Sequence, residues 1–502
     1  MQEESELMKF KKEKEFKLQQ DQENIVIPFF DETNINSQLR QLHFEHDRIE
    51  TIVLKQKITN QQTFLFPTEK GSISITFVYL GSRADCNLFL SKELFCSFGR
   101  ATEGDCQILL EGLEVGYHII QQITETIIKA IYLGAYSFAK EKLKRASGVR
   151  LFSIRDELKK EKDTDTFTFI SSEDLQNSIK KAVDYGECIN YARVLGDIPN
   201  NYLHVRQFAE YLQDFANEYE LSCEILGKEE LEELHSGGIL GVNAGSSEEP
   251  KLITVYYEGS KEAPVTAIIG KAVMFDSGGY HLKSIDGMTG MKYDMCGAAN
   301  MVSVLEIAVR QKSKKNILLV IPAVENVISP DACKMGDVLT TMSGKTVEVY
   351  NTDAEGRLIL CDAITYAIKK GAGSIIDLAT LTYSCQRALG NDISGIYSNH
   401  DKFYEAFATK TREQCEKVWR LPLDDVYHKP LYRTQTADLI NYAPDSHGGG
   451  SIAACFLEEF VGKEIPWIHL DVVGTAVNRS ESKMQSIGAT GVLIASIAAF
   501  MD

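Results

Sequence analysis

The chain has 502 residues, of which 44% are hydrophobic and 25% charged, a balance typical of a soluble globular protein with two or three domains. Its formal net charge of −18 disfavours non-specific binding to nucleic acid and to anionic membranes, and no apolar run reaches the ~20 residues of a transmembrane helix. The eleven cysteines include no CxxC pair, which predicts reduced thiols and a cytoplasmic location.

The first third of the chain predicts a tail followed by a small domain. Residues 1–24 carry many charges of both signs and lack the apolar centre of a secretory signal, so we expect a charged tail, helical in part and disordered in part. Residues 25–185 alternate short apolar strands with helical patterns, which predicts a smaller N-terminal α/β domain. Its clearest elements are a strand at 72–81 and a helix at 116–138.

The remaining residues, 186–502, predict a larger α/β domain. Short apolar runs of strand length alternate with helical patterns, and this alternation predicts a mostly parallel sheet flanked by helices. A long helical pattern at 175–199 leads into this domain. The predicted strands lie at 265–270, 317–324, 346–350, 374–380 and 467–474, and the predicted helices include 297–311 and 358–371.

Charged residues collect where predicted strands end. The strand at 265–270 runs into a segment with two glycines, and the strand at 346–350 runs into NTDAEGR, residues 351–357. In open α/β sheets, ligands gather outside the carboxyl ends of the strands. The candidate residues in and near these segments are, in chain order, Lys271, Asp276, Lys283, Asp294, Asp353, Glu355 and Arg357.

Four carboxylates in one place repel each other and need positive charge for compensation. The lysines, Arg357 and divalent metal ions are the candidates. A cluster of this size suits two ions roughly 3.5–4 Å apart, which generate hydroxide from water and polarise a carbonyl group. Lys271 could then bind metal as a neutral amine, while Lys283 and Arg357 stay cationic and stabilise an oxyanion.

Each feature alone also has an ordinary structural explanation. Thr352 and Glu355 match the T-x-x-E capping box of a helix, the glycines at 278–279 predict a turn, and Asp294 suits a helix N-terminus. These explanations do not account for the shared position at strand ends. If Glu355 binds metal, it cannot also cap, and the cap is incomplete or made by Thr352 or Asn351.

Several motifs carry a resemblance to a known family. They include GK-x4-FDSGG-x3-K at 270–283, MKYDMCGAA at 291–299, NTDAEGRL at 351–358 and HLDVVGTA at 469–476. The chain resembles the leucyl aminopeptidases, also called cytosol aminopeptidases or peptidase family M17, which are two-metal exopeptidases. The resemblance covers roughly residues 190–502. The first 185 residues carry no matched motif, as is usual for the variable N-terminal domain of this family.

The resemblance implies a metal ligand for each carboxylate. Asp276 and Glu355 would bridge both metals, and Asp353 would complete the more exchangeable site. Lys271 and Asp294 would complete the tighter site. The family's usual metal is Zn²⁺, with Mn²⁺, Mg²⁺ or Co²⁺ at the exchangeable site.

The resemblance also implies catalytic and substrate-binding residues, peptide substrates and a homohexamer. Lys283 would polarise the scissile carbonyl, and Arg357 would anchor a bicarbonate ion that serves as general base. The residues expected to bind substrate are Met291, Asn351, Thr380 and Leu381.

The chain departs from the family pattern beside these residues. Tyr383 replaces a glycine that contacts substrate, Tyr280 and His281 replace the usual residues before Lys283, and Ala272 follows Lys271 in place of glycine. His281 is either a partly exposed loop residue or an extra proton carrier. Two hypotheses result: a metal-dependent aminopeptidase, and a catalytically weak paralogue that acts as a structural or binding subunit. A different two-metal hydrolase, such as a phosphoesterase, is the third.

Overall fold

The computed structural model of the chain forms two compact units. One comprises Met1–Ser137, Ser153–Glu187 and Ser480–Ser486, and the other Phe138–Phe152, Cys188–Arg479 and Ile487–Asp502. The predicted domain bounds, 25–185 and 186–502, remain a prediction. The structure describes residues 8–16, 23–30, 38–39, 58, 60–67, 72–81, 88–102, 104–111, 113, 115–138, 151–153, 155, 165–444, 447–481 and 485–502.

The first unit contains a six-stranded sheet in the order β1-β6-β5-β2-β4-β3. The pairing of β3 with β4 is antiparallel, and the other pairings are parallel. Its strands are β1 (Lys9–Glu13), β2 (Glu23–Phe29), β3 (Gln61–Pro67), β4 (Ser72–Tyr79), β5 (Cys106–Leu109) and β6 (Thr166–Ile170), and its helices are α1 (Leu88–Ala101), α2 (Tyr117–Ala135) and the first part of α3 (Gln176–Asp197).

The predicted helix at 116–138 and strand at 72–81 are confirmed by α2 and β4. Ile123, Ile127 and Ile131 recur every fourth residue on α2 and are fully buried. This spacing places them on one face of the helix, which explains why the periodicity identified it.

Part of the charged N-terminal segment, residues 9–13, is a strand, where the sequence predicted helix or disorder. Strand β1 pairs in parallel with β6, and the ring of Phe10 stacks on that of Phe167 with 5.2 Å between centroids. Its partner strand lies more than 150 residues away, and a single aromatic residue among charges carries little strand signal. Residues 1–7 and 17–22 lie outside the described part of the chain.

The second unit is built on a nine-stranded sheet in the order β16-β15-β18-β14-β9-β11-β8-β7, with β10 also paired to β11. Five of its eight pairings are parallel, so the predicted α/β class with a mostly parallel sheet is confirmed. The strands are β7 (Ser222–Leu226), β8 (Lys251–Tyr257), β9 (Val265–Gly270), β10 (Ala272–Asp276), β11 (Asn316–Asn326), β14 (Ala372–Ala379), β15 (Ser394–Ser398), β16 (Val418–Arg420) and β18 (Trp467–Asp471).

Helices of the second unit pack on this sheet, and α9 and α13 contribute to one large apolar core. None of the helices in the described residues has the length and apolarity that a membrane crossing requires. The helices are α4 (Val205–Glu218), α5 (Lys228–Glu233), α6 (Gly237–Asn243), α7 (Ile285–Met288), α8 (Cys296–Arg310), α9 (Gly356–Lys369), α10 (Tyr383–Leu389), α11 (Asp401–Glu413), α12 (Asp425–His428), α13 (Gly449–Val461) and α14 (Ile494–Phe500).

The strand predicted at 346–350 belongs to a different sheet from the one expected. It is β13 (Thr346–Glu348), which pairs with β12 (Val338–Thr340) and β17 (Leu439–Ile440) in a separate three-stranded sheet. Strand length and apolar pattern identify a strand but do not name its partner, which explains the error. The remaining strands, β19 (Val477–Asn478) and β20 (Gly488–Ala489), form a two-stranded sheet.

A polar network crosses the buried centre of the large sheet. On β14, the Asp377 carboxylate accepts a hydrogen bond from Trp467 Nε1 at 2.6 Å and lies 2.5 Å from His469 Nδ1. All three side chains are at most 1% exposed. Burial lowers the pKa of His469, but the Asp377 charge and hydrogen bond outweigh burial and hold that pKa above its usual value.

This network predicts a pH-dependent contribution to stability. A histidine with a raised folded-state pKa stabilises the fold below its unfolded pKa of 6.5, and this contribution is lost as the pH rises through the folded value. We therefore expect the wild type to lose more unfolding free energy between about pH 6 and about pH 9 than His469→Asn does. Chemical denaturation of both proteins at the two pH values measures this, and parallel pH profiles would contradict it.

Candidate active site

Lys271 lies at the junction of β9 and β10 and is 3% exposed. Its Nζ atom is 2.9 Å from Asp294 Oδ1 and 2.8 Å from Glu355 Oε1, and it donates a hydrogen bond of 2.8 Å to the Thr380 carbonyl oxygen. Two carboxylates therefore share one buried amine.

Lys283 holds the other pair of carboxylates. Its Nζ atom is 2.7 Å from Asp276 Oδ2 and also pairs with Asp353 Oδ1. The turn that positions it contains the paired glycines at 278–279, both with positive φ angles, +85° and +62°. A Cβ atom at Gly278 would lie 2.4 Å from the His281 carbonyl oxygen, so this turn requires glycine.

The stretch NTDAEGRL does not form a capping box. Thr352 Oγ1 donates to the Gly278 carbonyl oxygen at 2.6 Å and accepts from the His281 amide at 2.7 Å, away from the helix. Glu355 precedes α9 with helical backbone angles, and its side chain makes no capping hydrogen bond. Asn351 Oδ1 accepts from the Asp353 amide at 2.7 Å, which fixes the turn that presents Asp353 and Glu355 to the site.

Asp294 reaches the site from the short helical turn Met291–Met295. Its Oδ1 atom accepts hydrogen bonds from Lys271 Nζ at 2.9 Å and from Thr380 Oγ1 at 2.7 Å. Its Oδ2 atom is buried and has no hydrogen-bond partner among the residues that the structure describes. A bound cation would supply the missing partner of this carboxylate oxygen.

The donor set fits a divalent metal. Asp276, Asp353 and Glu355 each offer an oxygen atom, and these atoms all lie within 4.8 Å of one another. Glu355 also belongs to the Lys271 and Asp294 half, so the five predicted ligands form one continuous cluster. Oxygen and amine donors around shared carboxylates suit a pair of first-row divalent ions or Mg²⁺.

The charges of the cluster do not balance. Four carboxylates face two ammonium groups, so ionisation of all four carboxylates would leave an excess of two negative charges. Burial raises the pKa of Asp294 to about 8 and that of Asp353 to about 7, and it also raises the pKa of Asp276. Burial also favours a higher pKa for Glu355, but the charges of Lys271 and Lys283 outweigh burial and lower the pKa of Glu355. Added positive charge would therefore stabilise the site.

Burial lowers the pKa of both lysines, but the surrounding carboxylates outweigh burial and hold each pKa above its usual value. The two lysines are thus ammonium groups among these carboxylates.

Arg357 lies in the first turn of α9, behind this cluster. Its Nη1 atom donates a hydrogen bond of 2.8 Å to the Asn441 carbonyl oxygen. Within the described part of the chain, its buried Nε atom has no hydrogen-bond partner. Burial lowers the pKa of Arg357 to about 10. The unpartnered Nε–H leaves one donor of the guanidinium available for an anion.

A cavity of about 380 Å³ opens beside the carboxylates. Of the residues predicted to bind substrate, Met291, Thr380 and Leu381 line it and Asn351 does not. Arg357, which was predicted to be catalytic, is not on its wall either. Asn351 instead supports the loop from behind, because its carbonyl oxygen accepts a hydrogen bond of 2.7 Å from Asn441 Nδ2.

Residues 190–498 match the model of the cytosol aminopeptidase family, catalytic domain. The chain belongs to this family. It is a metal-dependent exopeptidase by class. A probable cytosol aminopeptidase of Bacillus subtilis (strain 168) is 36% identical over 448 residues, which cover 88% of each chain.

Two solved structures share the fold over nearly the whole chain. The cytosol aminopeptidase from Coxiella burnetii has a TM-score of 0.80 at 26% identity and covers 98% of both chains. The bottromycin maturation enzyme BotP in complex with Mn has a TM-score of 0.77 at 23% identity, covering 96% of this chain and 100% of that one.

Of Tyr280, His281 and Tyr383, which depart from the family pattern, one lines the cavity and two do not. Tyr383 lines the cavity, and Lys283 Nζ lies 6.0 Å from the centroid of its ring. His281 is exposed and off the cavity wall, and Tyr280 directs its hydroxyl to the Ser329 carbonyl oxygen at 3.1 Å. Only Tyr383 is therefore placed to affect a substrate directly.

Two residues that support the site were not predicted from the sequence. Asn326 donates to Asp276 Oδ1 at 2.8 Å and to the Thr352 carbonyl oxygen at 3.0 Å, so it joins two ligand segments. Asp471 Oδ2 accepts a hydrogen bond of 2.6 Å from Thr382 Oγ1, and Asp471 is 1% exposed. Both are polar residues at the end of a buried strand, β11 and β18, and that position is the signal that could have identified them.

Glycine allows two helices to approach Lys271 closely. A Cβ atom at Gly297 would lie 2.2 Å from the Leu378 carbonyl oxygen, and one at Gly356 would lie 2.8 Å from Lys271 Cε. Two hydrogen bonds fix the Lys271 backbone. Its amide donates to the Leu378 carbonyl oxygen at 3.1 Å, and its carbonyl oxygen accepts from the Ala298 amide at 3.0 Å. The position of the buried amine thus depends on the absence of two side chains.

Proposed function

We propose that the chain is a two-metal aminopeptidase that hydrolyses the N-terminal residue from peptides. The observation that carries this proposal is a cluster of four carboxylates, three buried and Asp353 partly exposed, which outnumber their two ammonium partners beside an open cavity. Three of the four carboxylates offer oxygen atoms within reach of one ion. Asp276, Asp353 and Glu355 would hold one metal, and Lys271, Asp294, Asp276 and Glu355 the other. When bound, the metals supply an activated water and polarise the scissile carbonyl.

The protein's own groups orient the substrate for this reaction. Lys283 reaches the cavity wall, where its ammonium group would donate to a carbonyl oxygen as negative charge develops on it. Apolar side chains on the wall, Met291, Leu381 and Val473, would bury the first side chain of the peptide. The carboxylates would attract the free α-ammonium group of the substrate.

We further propose the cofactors and assembly that the family implies. These are Zn²⁺ with Mn²⁺, Mg²⁺ or Co²⁺ at the more exchangeable site, bicarbonate held by Arg357, a homohexamer, and a cytoplasmic location. The unpartnered Nε–H of Arg357 supports an anion there. The exposed apolar side chains of Leu282, Ile285 and Met335 support self-association.

The test is peptide hydrolysis by the purified protein after loading with a defined metal. We expect Zn²⁺- or Mn²⁺-loaded protein to release the first residue from Leu-, Ala- or Cys-Gly-type substrates, and chelation to abolish this release. N-acetylated versions of the same peptides serve as the control, since they lack the α-ammonium group. Release from neither set would reject the proposal.

The second candidate function is a weakly active structural or binding subunit, which Tyr383 on the cavity wall favours. The cavity nevertheless remains open with this ring present, at about 380 Å³. We therefore expect Tyr383→Gly not to raise kcat/KM, with Tyr383→Ala as the control for the lower helix propensity of glycine at the start of α10. A gain of about tenfold or more, roughly 1.4 kcal/mol, would support the weakly active subunit instead.

A further inference from the structure

A second cluster of metal-binding side chains lies on α12 and α13. His428 ends α12, and Cys455 and Glu458 are three residues apart on α13, so they share one helix face. One donor atom from each of the three lies within 4.8 Å of the others. None of these residues belongs to the active-site cluster.

The imidazole of His428 lies between two carboxylates. Its Nε2 atom is 2.8 Å from Glu458 Oε2, and its Nδ1 atom is 3.2 Å from Glu459 Oε1. A neutral imidazole can donate through only one of its nitrogens. If Nδ1–H donates to Glu459, the Nε2 lone pair points at the Glu458 carboxylate, and either a proton on Nε2 or a bound metal ion satisfies both groups.

Glu459 is itself held firmly. Lys345 Nζ is 2.8 Å from its Oε2 atom and donates 2.6 Å to its carbonyl oxygen, and the Tyr432 hydroxyl donates 2.5 Å to Oε1. A carboxylate that fixes a histidine through Nδ1 is the usual support for a histidine that binds metal through its other nitrogen. The supporting contacts of a metal site are therefore present in the protein.

Cys455 supplies the donor that selects the metal. Cys455 is buried, and in the described ranges its Sγ atom makes one hydrogen bond, a weak contact of 4.0 Å with the Asp424 carbonyl oxygen. The side chains of His428 and Glu458 are about one-fifth exposed, so an ion can enter from solvent. Sulfur, imidazole nitrogen and one carboxylate oxygen suit Zn²⁺, whereas Mg²⁺ and Ca²⁺ prefer oxygen ligands only.

We propose that His428, Cys455 and Glu458 bind one Zn²⁺-type ion, with Glu459 positioning the histidine. The Cys455 thiol releases its proton on binding, and the thiolate, Nε2 and the Glu458 carboxylate become the three protein ligands. The ion joins α12 to α13 and leaves a fourth position for water.

Co²⁺ is the probe that separates this site from the active site. Thiolate coordination gives Co²⁺ a charge-transfer band in the near ultraviolet, and the active-site ligands are oxygen and nitrogen only. We expect metal-free wild type to develop this band during Co²⁺ titration, with a final intensity of one thiolate-bound Co²⁺ per chain, and added Zn²⁺ to remove it.

The matched variants are Cys455→Ser, His428→Gln and Glu459→Gln, with Cys223→Ser as the control at a half-buried cysteine away from this cluster. We expect no band in Cys455→Ser, an unchanged band in Cys223→Ser, and Co²⁺ binding weakened by roughly 10- to 100-fold in Glu459→Gln. His428→Gln, at a partly exposed position, checks the result independently of the buried cysteine. A wild type without the band, or a band that persists in Cys455→Ser, overturns the proposal.

Discussion

Glu355→Gln is expected to lower kcat/KM by about 10³-fold or more. Glu355 is the carboxylate shared by both halves of the site, since it pairs with Lys271 at 2.8 Å and also offers an oxygen to the Asp276 and Asp353 group. Metal ions contribute several kcal/mol to such a reaction, and each 1.36 kcal/mol is tenfold in rate, so losing the shared ligand costs about 4 kcal/mol or more.

Metal content should fall together with activity in this variant. Glutamine keeps the size of the side chain and removes its negative charge, so the change tests charge and not packing. Glu249→Gln is the matched control, because that carboxylate pairs with Lys251 on the surface. Steady-state kinetics and metal analysis of both variants provide the measurement. Full activity in Glu355→Gln would exclude a shared ligand.

Lys283→Met is expected to separate catalysis from metal binding. Lys283 pairs with Asp276 and Asp353, so its ammonium group competes with any cation for the same carboxylates. Its removal should lower kcat by about 10²- to 10³-fold, the scale of losing one oxyanion donor, with metal affinity equal to or tighter than that of the wild type.

Lys334→Met is the control for Lys283→Met, since that lysine lies against the ring of Tyr280 and off the cavity wall. Isothermal titration with Mn²⁺ and single-turnover kinetics measure the two effects separately. Equal losses of metal affinity and kcat would show that Lys283 supports the ligands, and would remove it from the catalytic set.

The sequence predicted which residues come together better than it predicted the framework that holds them. The structure brings together the five residues that the motifs named as candidate metal ligands, and their role as ligands stays a prediction. The capping box at Thr352 and Glu355 was a sound local pattern, but a tertiary partner, the turn at 278–279, took the threonine hydroxyl. A local sequence pattern does not reveal that a distant segment of the chain will bind the same hydroxyl group.

Strand partners were the least predictable part of the fold. β13 joined a small sheet through β17, more than 90 residues away, and β1 joined a sheet through β6. The supporting residues Asn326 and Asp471 were missed for the same reason, because their roles depend on which strand ends adjoin. Helix periodicity and buried strand runs, in contrast, are local signals, and α2, β9 and β11 match them closely.

The two glycines around Lys271 have a consequence for how the chain tolerates change. Gly297 and Gly356 carry no functional group, yet any side chain there would meet the Leu378 carbonyl oxygen or the Lys271 side chain. A library of all single substitutions, selected for activity, should therefore rank these positions as strictly as the carboxylates. Positions that tolerate no substitution in such a map would therefore include sites where two segments pack too closely for any side chain, as well as sites that supply a reactive group.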